Sequence, residues 1–184
     1  IVKWKWFQRY KAPPPRSQLT VVQSWDTASK PDQHHDFSVC TTWGICGDNL
    51  FLLDVERARL DFPSLKRRVI DLAKQWLPQT ILIEDKGSGT ALIQQLRRES
   101  HGIPFPTAYV PRDDKLTRLH AQSAQIEAGH VHLPERASWL DDLRSEIAAF
   151  PQGRHDDQVD SISQFLAWHF EWRSRVAQQV RLVG

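Results

Sequence analysis

Acidic residues crowd three places in the chain where a rigid element is expected to end. Asp26 follows a Thr-, Val- and Trp-rich stretch over 19–25. Glu84 and Asp85 follow the apolar run Thr80-Ile81-Leu82-Ile83. Asp156, Asp157 and Asp160 open the last helical stretch. Asp157 and Asp160 are spaced i, i+3 and so share a helix face. In an open α/β sheet, sites form at strand ends. If the first of these strands lies beside the apolar one, Asp26 and Glu84 become neighbours. Like charges that close are unfavourable unless a cation sits between them. A donor set made of oxygen, with no Cys and no committed His, selects hard ions such as Mg²⁺ or Mn²⁺. Each place also has a plainer reading. A lone Asp at a strand end is a common turn residue, and acids in a first helical turn complement the helix dipole. A cap needs one acid, however, and this chain supplies a surplus at three separated element ends.

Other residues stand near those ends. His155 precedes the acidic pair and would orient a carboxylate or position water, or else sit in an exposed loop. Lys86, Lys115 and Arg118 are placed to hold phosphate oxygens, with a solvated helix face as the alternative for Lys115 and Arg118. Gly87-Ser88-Gly89 at a helix start is either a phosphate turn or a plain one. It lacks the Lys-Ser/Thr ending of a nucleotide-binding P-loop, so the chain does not hydrolyse ATP by that machinery. His34-His35 read as surface residues, and most of the eight Trp fall at core-facing positions.

The elements that must carry these residues follow from periodicity. Strands are expected over 19–25, 37–45 and 50–55, the last two joined by the turn Gly47-Asp48-Asn49, which suggests an antiparallel meander. Phe62, Leu65, Val69, Leu72 and Trp76 recur at helical spacing, with Pro63 in the first turn and Pro78 beyond the end. The run 80–83 reads as a central strand buried on both faces. A helix from 87–89, a fifth strand over 104–110, helices over 113–128 and 137–150, an extended piece at 131–133 and a last helix from 156 to about 180 complete the order βββαβαβααα.

The 184 residues suit one domain, and 40% hydrophobic with 25% charged residues describe an ordinary globular protein. No apolar run is long enough to span a bilayer. The start, Ile1-Val2-Lys3-Trp4-Lys5-Trp6, has no signal-peptide core, so an intracellular protein is expected. The absence of Met fits a fragment of something longer. Cys40 and Cys46 are expected as free buried thiols. A net charge of +2 does not announce nucleic-acid binding, although residues 1–20 carry Lys3, Lys5, Arg9, Lys11 and Arg16 without an acid. With Pro13-Pro14-Pro15, residues 1–18 read as a basic linker or arm with little to pack, ahead of a domain over 19–184.

Four segments together resemble a known family: 21–30 (Val-Val-Gln-Ser-Trp-Asp-Thr-Ala-Ser-Lys), 53–63 (Leu-Asp-Val-Glu-Arg-Ala-Arg-Leu-Asp-Phe-Pro), 82–89 (Leu-Ile-Glu-Asp-Lys-Gly-Ser-Gly) and 155–161 (His-Asp-Asp-Gln-Val-Asp-Ser). In order and spacing they are similar to the C-terminal nuclease domain of the large terminase subunit of tailed bacteriophages, over about residues 19 to 170. The resemblance implies an α/β, ribonuclease H-like (retroviral integrase-like) fold, a mixed five-stranded sheet with a three-stranded antiparallel meander, flanked by helices. It implies a two-metal endonuclease, using Mg²⁺ or Mn²⁺, that cuts concatemeric double-stranded DNA during viral packaging in the bacterial host cytoplasm. The family's strand acid matches Asp26 and its central acid Glu84, with Asp85 as substitute. Its helix acid falls in Asp156-Asp157, of which Asp157 is favoured, and Asp160 matches a second helix acid of related resolvases. Asp26, Glu84 and Asp157 would be catalytic, and with Asp156 and Asp160 they would ligate metal. The implied partners are DNA, an N-terminal ATPase motor of the full-length protein, the portal and the small terminase subunit. Two alternatives remain: another nuclease of this fold, such as a Holliday-junction resolvase, and a non-catalytic module that docks on DNA or the portal.

Overall fold

The computed structural model describes residues 1–27, 36–99 and 101–183. The strands are β1 (Gln8–Tyr10), β2 (Thr20–Asp26), β3 (Ser38–Cys46), β4 (Asn49–Ala58), β5 (Thr80–Glu84), β6 (Thr107–Tyr109) and β7 (Val131–Pro134). The helices are α1 (Phe62–Trp76), α2 (Ser88–Arg98), α3 (Lys115–Glu127), α4 (Leu140–Ala149) and α5 (Asp157–Val183). Among the described residues the strands form one mixed sheet in the order β1-β7-β4-β3-β2-β5-β6. β2, β3 and β4 are the expected antiparallel meander. β5 runs parallel to β2, and β6 parallel to β5. The mixed sheet with helices on both faces agrees with the expected architecture, but among the described residues it has seven strands rather than five. β7, anticipated only as an extended piece, joins β4, and β1 joins β7. His34 and His35 lie outside the described residues.

Helices cover both faces of the sheet. Trp25, Ile81 and Ile83 pack with Leu65, Val69 and Leu72 of α1 and Leu92 and Leu96 of α2. Val22, Trp43 and Leu82 pack on the other face with Phe165 and Leu166 of α5, Leu143 of α4 and Leu119 of α3. Successive side chains of a strand point to opposite faces, so β5 must be apolar throughout. Helix α1 starts where Asp61 accepts a 2.8 Å bond from the Ser64 amide, an N-cap in the ordinary sense. Cys40 is buried, Cys46 half-buried, and both are free. Trp25 and Trp43 are fully buried, whereas Trp172 is exposed.

The reading of residues 1–18 as an arm with little to pack is corrected. Val2 and Phe7 are buried in the same core as α4 and α5. Tyr10 Oη donates to the Leu52 carbonyl at 2.7 Å, and Arg16 donates to the carbonyls of Trp76 and Leu77 at 3.0 and 2.6 Å. The apolar residues responsible are scattered among Lys and Arg with no single period, which hides their burial in the sequence. No helix among the described residues is long and apolar enough to cross a membrane.

Candidate active site

Parallel pairing of β2 with β5 aligns Trp25 with Ile83, so Asp26 and Glu84 come next, side by side. Alternation then decides their direction. Trp25 and Ile83 face α1 and α2, so Asp26 and Glu84 face the opposite side, where α5 lies. The start of α5 is tied to β2 by a buried polar network. Ser24 Oγ donates to the Ser161 carbonyl (2.9 Å), Ser161 Oγ donates to the Ser24 carbonyl (2.7 Å), and Gln164 Nε2 donates to Ser24 Oγ (3.0 Å) and the Trp25 carbonyl (3.2 Å). A carboxylate on α4 completes the anchorage. Glu146 accepts from the amides of Gln158 and Val159 at 2.7 and 2.9 Å and from Gln158 Nε2 at 2.7 Å. A buried anion on the first-turn amides of a helix both caps it and complements its dipole.

These supports converge the three acidic ends. Asp26, Glu84 and Asp157 line one pocket of about 90 Å³, together with Thr27, Asp36, Lys86 and Lys115. Burial raises the Asp26 carboxyl well above the usual carboxylate range; Asp160, Glu84 and Asp157 add to this, and Lys115 opposes it. Asp157 is raised by burial and by Asp156, against Lys115, Arg57 and His155. Asp160, 3% exposed, is pushed up to about 6, first by burial, with Lys115 pulling the other way.

Lys115 is the cation of this cluster. Its ammonium bonds Asp156 Oδ1 at 3.0 Å and pairs with Asp160. Burial alone would lower its pKa, but Asp160 and Asp156 outweigh that and hold it above the ordinary lysine value. Arg118 is not on a solvated face. Its side chain is 7% exposed, with Nη2 3.4 Å from Asp160 Oδ1 and Nε 3.2 Å from Ser163 Oγ. Packing of α3 on α5 encloses most of it beside a buried acid, and it also lines a cavity of about 300 Å³ with Tyr109 and Arg112. Lys86 remains exposed at the pocket rim. Asp85 is exposed outside the pocket and accepts from Thr90 Oγ1 at 2.7 Å. His155 Nδ1 lies 4.0 Å from Asp157 Oδ2.

The Gly87-Ser88-Gly89 turn is committed to packing. A Cβ on Gly89 would fall 2.1 Å from the Glu84 carbonyl oxygen, so glycine lets α2 close on the end of β5. The Gly89 amide bonds the Lys86 carbonyl (3.0 Å) and Ser88 Oγ bonds Thr27 (3.0 Å).

Among the described residues, no three His, Cys, Asp and Glu side chains already stand as the ligands of one ion. Lys115 holds two of the acids, Asp156 and Asp160. The set nonetheless fits a hard divalent cation. All donors are oxygens, and five carboxylates (Asp26, Glu84, Asp156, Asp157, Asp160) face chiefly Lys115 and Arg118. Among the residues that the sequence did not assign to the site are Asp36 and Thr27, which line the pocket, and Ser161, Gln164 and Glu146, whose tasks depend on packing between distant segments.

The profile described as "Terminase RNaseH-like domain" matches residues 23–168. No curated protein matches the chain. Among solved structures, the chain is similar to the large terminase nuclease from thermophilic phage G20c with bound cobalt (TM-score 0.64, 17% identity, covering 89% of this chain and 93% of that one). It is also similar to the human cytomegalovirus terminase nuclease domain, Mn soaked (TM-score 0.65, 9% identity, 91% and 94%). A third is the large terminase from another thermophilic bacteriophage (TM-score 0.63, 12% identity, 87% of this chain), of whose length the chain spans 42%. At these identities the structures speak for the fold, and the profile, which covers most of the chain, speaks for descent: this chain belongs to the family of terminase ribonuclease H-like domains.

Proposed function

We propose that the chain is the metal-dependent endonuclease domain of a viral DNA-packaging terminase, cutting concatemeric double-stranded DNA with low sequence preference. One observation carries this reading: Asp26, Glu84 and Asp157, from three separate elements, line a single pocket with burial-raised acids around it. Asp26, Glu84 and Asp157 would hold divalent ions, with Asp156 and Asp160 as further candidates. Bound cobalt, bound zinc and Mn soaking in the neighbouring terminase nucleases support a divalent ion here. Two Mg²⁺ or Mn²⁺ ions, when bound, supply an activated water and charge stabilisation at the scissile phosphate.

The chain's own residues do the rest. Asp26 and Glu84, fixed by the sheet, set the floor of the site. Asp157 approaches from α5, and His155 is near enough to orient it. Lys115 offsets the acids' charge and faces the pocket where a phosphate oxygen would lie, and Lys86 guards the rim. Among the described residues no helix presents itself as a reader of base edges, in keeping with low sequence preference. The proposed partners are double-stranded DNA, an ATPase motor in the same full-length protein, the portal and the small terminase subunit, in the cytoplasm of a bacterial host.

The test is plasmid cleavage by the purified chain. Mg²⁺ or Mn²⁺ should support nicking and linearisation, and EDTA should abolish both. Undiminished cutting in EDTA contradicts the metal-dependent reading. No cutting by a folded sample in either metal favours a docking module instead.

A further inference from the structure

Lys115 is placed against the preference of its own helix. It is the first residue of α3, at the end where the helix dipole disfavours a cation. Its backbone is pinned there by the cap: Asp114 Oδ1 accepts from the Thr117 amide at 2.9 Å, and Asp114 Oδ2 from Thr117 Oγ1 at 2.8 Å. Departures from local preference of this kind are expected at functional sites. What holds the ammonium is the acid cluster, with Asp156 Oδ1 at 3.0 Å and the Asp160 carboxylate beside it. It lines the same pocket as Asp26, Glu84 and Asp157. A positive charge among mutually repelling carboxylates relieves them as a bound cation would.

The two cations of the cluster differ in freedom. Arg118 is a planar fork, mostly enclosed and bonded to Ser163 and Asp160. Lys115 carries its ammonium on a flexible four-carbon stem, and its side chain is 50% exposed. The ammonium can therefore swing outward while the backbone stays. Its departure leaves Asp160 still paired with Arg118 and releases Asp156, whose side chain is 34% exposed and reachable from solvent.

We propose that the Lys115 ammonium stands in for the second divalent ion in the free chain, withholding Asp156 from metal until a phosphate oxygen of bound DNA draws it away. The inference rests on the nuclease reading and adds an order to it. Asp26, Glu84 and Asp157 hold one ion before DNA arrives, and Asp156 opens as a further ligand with DNA in place. Asp160, kept by Arg118, serves as an anchor rather than an open ligand. An ammonium is a compact point charge that a phosphate oxygen can take over from a carboxylate. The site is then incomplete until its substrate is bound.

The experiment is calorimetric titration of Mn²⁺ into this chain without DNA, with melting curves in EDTA and in Mn²⁺ alongside. The parent should take up one ion per chain. Lys115→Met, which keeps the length of the side chain and loses its charge, should take up two. Lys115→Arg keeps a cation against the acids and should take up one. So should Lys115→Met/Asp156→Asn, in which the opened carboxylate is gone. Lys115→Met should also melt lower than the parent in EDTA, where its acids lack a counter-charge, and gain more from Mn²⁺, because each further ion bound by the folded chain adds stability. Two ions in the free parent would overturn the proposal whatever the variants do. A single ion in a Lys115→Met that melts cooperatively would overturn it too. Both results leave the nuclease reading standing, whereas a folded parent and a folded Lys115→Met that take up no Mn²⁺ would contradict that reading as well.

Discussion

Lys115 and Asp160 illustrate how much of the site's behaviour is electrostatic. Asp26 is faced by Asp160, Glu84, Lys115 and Asp157, and Asp160 by Lys115, Asp156 and Arg118. Both carboxyls are raised by burial, Asp160 to about 6. An acid whose folded pKa exceeds its unfolded value of about 3.9 holds its proton more tightly in the folded state. It therefore contributes stability at low pH that is lost as pH rises through the folded pKa. Melting temperatures in EDTA should accordingly fall between about pH 4 and 6 in the parent, the window between the unfolded pKa and the raised folded pKa of Asp160. Asp26→Asn should flatten that fall and melt higher than the parent at neutral pH. A variant as pH-sensitive as the parent would show that these acids do not carry the strain. The acids were legible in the sequence because each one stands at the end or the start of a strongly patterned element. Arg118 was not, because its neighbour Asp160 lies 42 positions away and only the packing of α3 on α5 brings them together.

At the level of elements, the site depends on where α5 begins. Its helical period and opening acids were visible, and the wholly apolar β5 announced a strand covered on both faces. What holds α5 in place was not visible. Glu146 belongs to another helix, and Ser161 and Gln164 read as ordinary polar residues until β2 lies beneath them. Removing the Glu146 carboxylate leaves two buried amides unpaired, at roughly 1–3 kcal/mol for a buried group. Glu146→Ala should therefore melt several degrees lower, at about 2–4 °C per kcal/mol for a chain of this size. Its Mn²⁺ affinity should fall as Asp157 loses support. Glu146→Gln, which still offers an acceptor, should recover much of both. Calorimetry on the two variants checks this. Metal affinity unchanged in Glu146→Ala would separate α5 anchorage from the site.

The whole molecule is a single sheet whose site sits where β2, β5 and α5 meet, and whose far edge is closed by residues from the start of the chain. That edge escaped the sequence because β1 is three residues long, Gln-Arg-Tyr, and carries no strand pattern. Deleting residues 1–10 uncovers the places of Val2 and Phe7. At roughly 1.5–3 kcal/mol for each of the two buried side chains, the melting temperature should drop by about 6–24 °C. A deletion variant that melts like the parent would return these residues to the status of an arm. The central claim, that Asp26, Glu84 and Asp157 form a metal-dependent nuclease site, is tested most directly by Mn²⁺-supported nicking rates of the parent and four variants measured side by side. Asp26→Ala, Glu84→Ala and Asp157→Ala should each lose at least about a hundredfold, or roughly 2.7 kcal/mol of barrier, while Asp85→Ala, whose side chain lies outside the pocket, keeps much of the parental rate. Parental rates in all four, or a dead Asp85→Ala beside a normal Glu84→Ala, would contradict the account.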